Sequence, residues 1–153
     1  MANYLRPVLD AVQAVLEKYT PGLLAALNRP PFVEFLRVFT GQLKNPPTAW
    51  IMPRRTAIAE EPTALEQKSE VMVKIGVLGS EPEEVVEASL DYVKAVTDAV
   101  LMADPAADWG INILRVHPQI QDYGPLQDQG RTFARFPEVH LIIDHAETEP
   151  ALQ

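Results

Sequence analysis

The sequence predicts an α+β domain: an antiparallel four-stranded sheet with two main helices packed on one face. Three observations point there. From Glu70 the side chains alternate, with Val71, Val73, Ile75 and Val77 on one side and Met72, Lys74 and Gly76 on the other, and this strand runs almost directly into a helical-period stretch over 81–103. Strand-like pairs flank that helix, 49–58 with 66–78 before it and 111–118 with 138–144 after it, as two hairpins would. Residues 4–19 supply a second amphipathic helix.

In chain order, Leu5, Val8, Leu9, Val12, Val15, Leu16 and Tyr19 repeat at three and four, and Thr20-Pro21-Gly22 is expected to break that helix. Residues 31–43 lie between prolines, and Phe32, Phe35, Leu36, Phe39 and Leu43 give the spacing of a short helix, although the aromatic content also suits a strand. Residues 49–58 read as a strand that Pro53 confines to an edge, a bulge or a break. After the strand over 66–78, Ser80 and Glu83 have the spacing of a capping box, and Pro82 is tolerated in a first helical turn. The helix over 81–103 is expected to pack through Val86, Val93, Val96 and Val100, and Asp104-Pro105 ends it. Residues 106–110 read as a loop, and Ile111, Ile113, Leu114 and Val116 as a strand ending near Pro118. Residues 119–131 are polar and glycine-bearing, which predicts a long mobile loop. In the last strand Val139, Leu141 and Ile143 alternate with Glu138, His140 and Asp144, and Pro137 predicts a bulge between Phe136 and Val139. Residues 1–146 are thus expected to form one domain and 147–153 a flexible tail.

With 21 acidic and 13 basic residues, the net charge is −8, which opposes phosphate-tracking or sequence-reading roles on nucleic acid. Cysteine is absent, which excludes disulfides, thiolate metal sites and cysteine nucleophiles. The chain has no apolar run long enough for a membrane span, and its first residues lack the pattern of a signal peptide.

Chemistry-bearing patterns are sparse. His140 and His145 fall on opposite faces of one strand, so they and His117 do not converge on a metal. Gly76 to Ser80 joins a strand to a helix but lacks either phosphate-loop spacing. Ser80, Asp144 and His145 form a hydrolase triad on paper only, because no nucleophile elbow surrounds Ser80. Glu81, Glu83, Glu84 and Glu87 suit the positive end of a helix dipole better than a cation site. Arg54, Arg55, Arg131 and Arg135 stand out on an acidic chain as candidate partners for another subunit's carboxylates. No nucleophile, base and oxyanion arrangement is present, so no enzymatic chemistry and no cofactor are expected.

The stretches Glu70–Val77, Pro82–Met102 with its central Asp91-Tyr92, Asp122-Tyr123, and Arg135-Phe136-Pro137-Glu138-Val139-His140-Leu141-Ile142-Ile143 resemble the tail terminator (tail-to-head joining) proteins of long-tailed bacteriophages and prophages. The resemblance implies structural work: a ring, usually of six subunits, that caps the tail tube and joins it to the head connector. Its implied partners are other copies of the chain, the tail tube protein and the connector protein. The implied location is the host cytoplasm during assembly and then the virion tail. Arg54, Arg55, Tyr123, Arg131 and Arg135 are the expected interface residues, facing Glu83 and Glu87 of a neighbouring subunit. Two other readings stand beside it. One is a small ligand-binding or enzymatic α+β domain, dimeric, with Met72, Lys74, His140 and Asp144 lining a site on the free face of the sheet. The other is an adaptor that lends a sheet edge to a partner strand.

Overall fold

The computed structural model describes residues 5–58, 66–110 and 113–146. The elements are α1 (Leu5–Ala26), β1 (Glu34–Leu36), β2 (Thr48–Ile58), β3 (Glu66–Gly79), α2 (Pro82–Met102), β4 (Ile113–Asp122), β5 (Gln127–Asp128), β6 (Phe133–Arg135) and β7 (Glu138–Ala146). The long strands lie in the order β2-β3-β7-β4 and are antiparallel. Short strands extend them: β1 joins β2 in parallel, and β6 and β5 continue the sheet beyond β7. The sheet is therefore mixed and seven-stranded, not the four-stranded antiparallel sheet expected. The expected C-terminal tail lies outside the described residues.

Both helices bury their apolar stripes on one face of the sheet. Val71, Val73 and Ile75 of β3 and Val139, Leu141 and Ile143 of β7 share a core with Val12 and Leu16 of α1 and Val93 and Val96 of α2. Val86, expected in that contact, is only half-buried, and Val85 takes the inward place. Tyr92 completes the seam between layers: its hydroxyl donates to the carbonyl of Pro30 at 2.7 Å, and burial pushes its pKa up to about 12.

Pro21 does not break α1. The stripe of Val8, Val12, Val15 and Leu16 continues through Thr20 and Leu24, both fully buried, so packing of the last turn outweighs the missing amide at Pro21. The helix closes at Asn28, whose φ is 58°. There the amide of Arg29 reaches the carbonyl of Leu24 and the amide of Asn28 that of Ala25, the paired bonds of a Schellman cap.

Residues 31–43 form no helix. Their apolar side chains serve two faces: Phe32 packs against Tyr92 in the main core, whereas Phe39 and Leu43 join Trp50, Ala134 and Phe136 on the opposite face. The chain wraps around the sheet edge, and β1 is the part that pairs. Gly76 permits this cover, because a Cβ there would stand 2.7 Å from Leu43 and 2.8 Å from the Trp50 ring.

The Ser80–Glu83 capping box does not form either. Glu81 is the N-cap, in extended conformation and without a side-chain cap, and Pro82 fills the first turn. β4 runs past Pro118 to Asp122, with register shifts beside Leu114 and Gln119 that absorb the proline. The segment expected as a loop is thus partly sheet: β4 ends in it at Asp122 and β5 pairs with β6, while 123–126 and 129–131 are irregular. Pro137 marks an interruption and no bulge. Val77 faces Arg135 and Lys74 faces Glu138, with two residues between on each side, so the register is continuous, and Ile75 N donates to Pro137 O.

A five-residue π-type turn over Pro105–Trp109 follows α2, capped by Asp104 Oδ1 on the amides of Ala106 and Ala107. Asp108 ties this turn to α1. It accepts from Lys18 Nζ at 2.7 Å, Tyr19 OH at 2.5 Å and Asp104 N at 2.7 Å. Those bonds, Lys18 first, hold its carboxyl at about 2, below its ordinary 3.8. A depressed carboxyl stabilises the fold in full above its ordinary value and loses that contribution as pH falls through its folded value. Denaturant melts of the parent should therefore lose stability between pH 3.8 and 2, and Asp108→Asn should show a shallower loss over the same window. Identical slopes would mean that the clamp contributes nothing.

Candidate interaction surface on the open face of the sheet

The face of the sheet away from the helices carries the charge. Period-two alternation sends Glu70, Met72 and Lys74 of β3 and Glu138, His140 and Ile142 of β7 to it, while their odd-numbered neighbours fill the core. The register sets Met72 opposite His140 and Lys74 opposite Glu138.

β2 joins this face through its bulge. Pro53 faces Val71 and Arg55 faces Glu70, which leaves Arg54 as the extra residue. The bulge brings both arginines to one carboxylate: Arg54 Nε lies 3.0 Å and Arg55 Nε 3.4 Å from Glu70. Glu70 is only 5% exposed, whereas the arginine side chains are 53% and 79% exposed. The anion is thus fixed in the sheet and the cations reach it from solvent.

A chain of contacts continues from Glu70. His140 Nδ1 lies 3.1 Å from Glu70 Oε2, and His140 Nε2 lies 3.0 Å from Glu138 Oε1. Glu138 Oε2 accepts from Lys74 Nζ at 3.0 Å, and Lys74 stands 4.7 Å from the centre of the Phe39 ring. Burial alone would raise the Glu138 carboxyl, but the bonds from His140 and Lys74 outweigh it and hold the group below its ordinary value. Beyond this ladder a cleft of about 420 Å³ opens between Phe39, Lys74, Asp122, Phe136 and Glu138.

The sequence-predicted residues fall into three places. Arg54 and Arg55 join the ladder. Tyr123 and Arg135 meet each other at the far end of the sheet, the guanidinium 5.7 Å from the ring and its Nε donating to Gly124 O at 3.0 Å. Arg131 is exposed in the turn before β6, and Glu83 and Glu87 are exposed on the first turns of α2, on the other layer. Within one chain the arginines and these glutamates are not brought together.

Of Met72, Lys74, His140 and Asp144, the structure joins Lys74 and His140 through Glu138, while Asp144 sits 4.0 Å from Lys68. His145 turns to the core, as alternation requires, with Nε2 2.8 Å from Ser69 Oγ, and burial lowers its pKa. Glu70 and Glu138, the two acids that organise the face, were overlooked in the sequence, although they occupy outward positions on strands that also carry Lys74 and His140. Among the described residues no cluster of histidines and carboxylates is arranged to hold a metal, and no helix is long and apolar enough to cross a membrane.

No family model matches the chain, and no curated protein matches it. Among solved structures, a chain from the virion of a native gene transfer agent particle superposes with a TM-score of 0.51 at 10% sequence identity, covering 89% of this chain and 93% of that one. At that identity the likeness is one of fold, and it extends over most of both chains.

Proposed function

We propose that this protein is a structural component of a phage-like particle, and specifically a tail terminator: a subunit of a closed ring, six-membered, that caps the tail tube and meets the head connector. The observation that carries this reading is the fold likeness to a gene transfer agent virion chain over nearly the whole of both chains. The acidic balance agrees, since a wall of net negative charge would not hold passing DNA. So does the exposed charge. Glu83 and Glu87 on the first turns of α2 and Arg131 in the turn before β6 are exposed, and none of the three has an ion-pair partner among the described residues. Head-to-tail packing sets one copy's cations against the next copy's carboxylates and closes into a ring. In this reading Arg54, Arg55 and Arg131 face the neighbour's carboxylates, Tyr123 and Arg135 shape the rim beside them, and the tail tube and connector proteins cover the two ends of the ring. No cofactor takes part.

Sedimentation at low and high salt tests this. The parent should form a discrete oligomer that weakens as salt rises, because the pairs lie near solvent. An Arg131→Glu, Arg135→Glu double variant should assemble at least tenfold less readily. A parent that stays monomeric at every concentration, and that fails to cap tail tubes in an assembly extract, overturns the proposal.

A further inference from the structure

Two histidines are buried on β7, on opposite faces and in unlike surroundings. His140, on the open face, has a carboxylate oxygen at each ring nitrogen, Glu70 at 3.1 Å and Glu138 at 3.0 Å. An imidazolium there finds an acceptor for both of its N–H groups. His145, on the core face, is 2% exposed, and its Nε2 lies 2.8 Å from the hydroxyl of Ser69, itself fully buried. A hydroxyl brings no charge to offset a cation, so a proton on His145 is costly to hold in the closed sheet.

The neighbours of His145 do not supply that charge. On β3 it faces Gln67, with Ser69 two residues on, and both are uncharged. On β4 it faces Ile113, a core residue. On the helix side Val100, Ala103 and Trp109 share a cavity with Ile113. The acids of that corner are engaged elsewhere, Asp104 with the amides of Ala106 and Ala107, and Asp108 with Lys18 and Tyr19. In the adjoining row of the sheet Lys68, Asp144 and Arg115 alternate to the open face, where Lys68 lies 4.0 Å from Asp144 and Arg115 faces Asp144 in register. Burial holds the His145 ring below its ordinary 6.5, and outweighs Asp144, which acts in the opposite sense.

Position confines the effect to one end of the sheet. The row Ile58, Gln67, His145 and Ile113 crosses all four long strands. β7 ends one residue later, at Ala146, and β4 begins at Ile113. The register shift beside Leu114 separates this row from the rest of the β4–β7 ladder. Gln67 Oε1 is buried there with no hydrogen-bond partner among the described residues, so the closed row already carries the desolvation cost of one amide oxygen.

We propose that His145 is an acid-sensitive latch: uptake of a proton on its ring opens the end of the sheet where β3, β7 and β4 meet, and leaves the rows from Val71 and Leu141 onward closed. The closed end keeps its full stability above pH 6.5 and loses it as pH falls further, because the opened end takes up the proton first. That window begins well above the 3.8 at which the Asp108 clamp starts to weaken, so the two are separable. The latch is a property of the single chain and stands whether or not copies form a ring.

Amide hydrogen exchange followed by NMR at about pH 7.5 and about pH 5.5 reads the opening, with each rate divided by that of the unfolded peptide at the same pH. Residues 66–69 and 143–146 should lose protection at least about threefold, and 71–75 should keep theirs. His145→Gln leaves a polar group beside Ser69 without a titrating ring and should abolish the difference, whereas His117→Gln, on β4, should leave it as in the parent. If His145→Gln does not fold, the parent alone decides: the ring resonances of His145 should titrate along the same curve as the loss of protection. Protection that holds at about pH 5.5 in the parent shows that the ring takes the proton without opening, with Gln67 Oε1 to receive it, and overturns the latch. A loss shared equally by 71–75, or one that persists in His145→Gln, overturns it too.

Discussion

Val93→Asp should lower the stability of the protein by about 5 kcal/mol. Val93 is fully buried on α2 in the core shared by both helices and the sheet. The change removes about 1.5–3 kcal/mol of apolar burial. It also places a carboxylate among valines and leucines with no cation or amide free to receive it, which adds several kcal/mol more or forces the group to take up a proton. A small domain holds about 5–15 kcal/mol in all, so a loss of about 5 kcal/mol consumes much of it. Val86→Asp is the informative control. It sits seven residues earlier on the same helix but is only half-buried, and should cost about 1 kcal/mol or less. Urea titrations of the two variants check the difference. A Val93→Asp protein that melts within a degree or two of the parent would show that α2 presents another face to the sheet.

That helix was legible because its signal is local and repeated. Val85, Ser89, Tyr92, Val93, Val96 and Val100 recur at three and four, and all are buried. The strands 66–79 and 138–146 were legible for the same reason at period two. What the sequence misled on is where one residue's local preference met a non-local opportunity. Pro21 and Gly22 argue for a helix end, yet Leu24 has a core site waiting for it, and α1 continues to Ala26. Phe32, Phe35, Phe39 and Leu43 have helical spacing, but a sheet with one face left open offers two apolar surfaces, and the segment divides its aromatics between them. Residues 119–131 are poor in apolar residues, and 119–122 and 127–128 within them enter the sheet because β7 and β6 supply backbone partners that no side-chain pattern announces.

The candidate site was partly legible. Arginine doublets are conspicuous in an acidic chain, and Arg54 and Arg55 do lie on the open face. Their shared partner was not visible, because only the bulge at Arg54 turns both side chains toward Glu70, and bulges are set by register rather than composition. Leu101, Leu114, Val33 and Val38 each pass for ordinary core residues until the fold leaves them outside.

The ladder on the open face leads to the other large effect. Glu70→Ala should cost about 3 kcal/mol, while Arg54→Ala and Arg55→Ala should each cost less than about 1 kcal/mol. The asymmetry follows from burial. Glu70 is nearly buried and receives both arginines and His140 Nδ1, so its loss strips the common anion from three groups at once. The arginines, more than half exposed, can turn to water, which places the cost at the lower end of the range for a broken buried pair. His140 cannot turn away. It is 4% exposed, with Arg54 Nη1 3.4 Å from its Nδ1 and only Glu138 left as an acidic neighbour. Either arginine, by contrast, can be removed while the other still serves Glu70, so the double variant should cost more than the sum of the singles. Urea denaturation of the four variants measures all of this. A Glu70→Ala protein within about 0.5 kcal/mol of the parent would mean that water already screens the carboxylate, and the ladder would then lose its place as the organising feature of the open face.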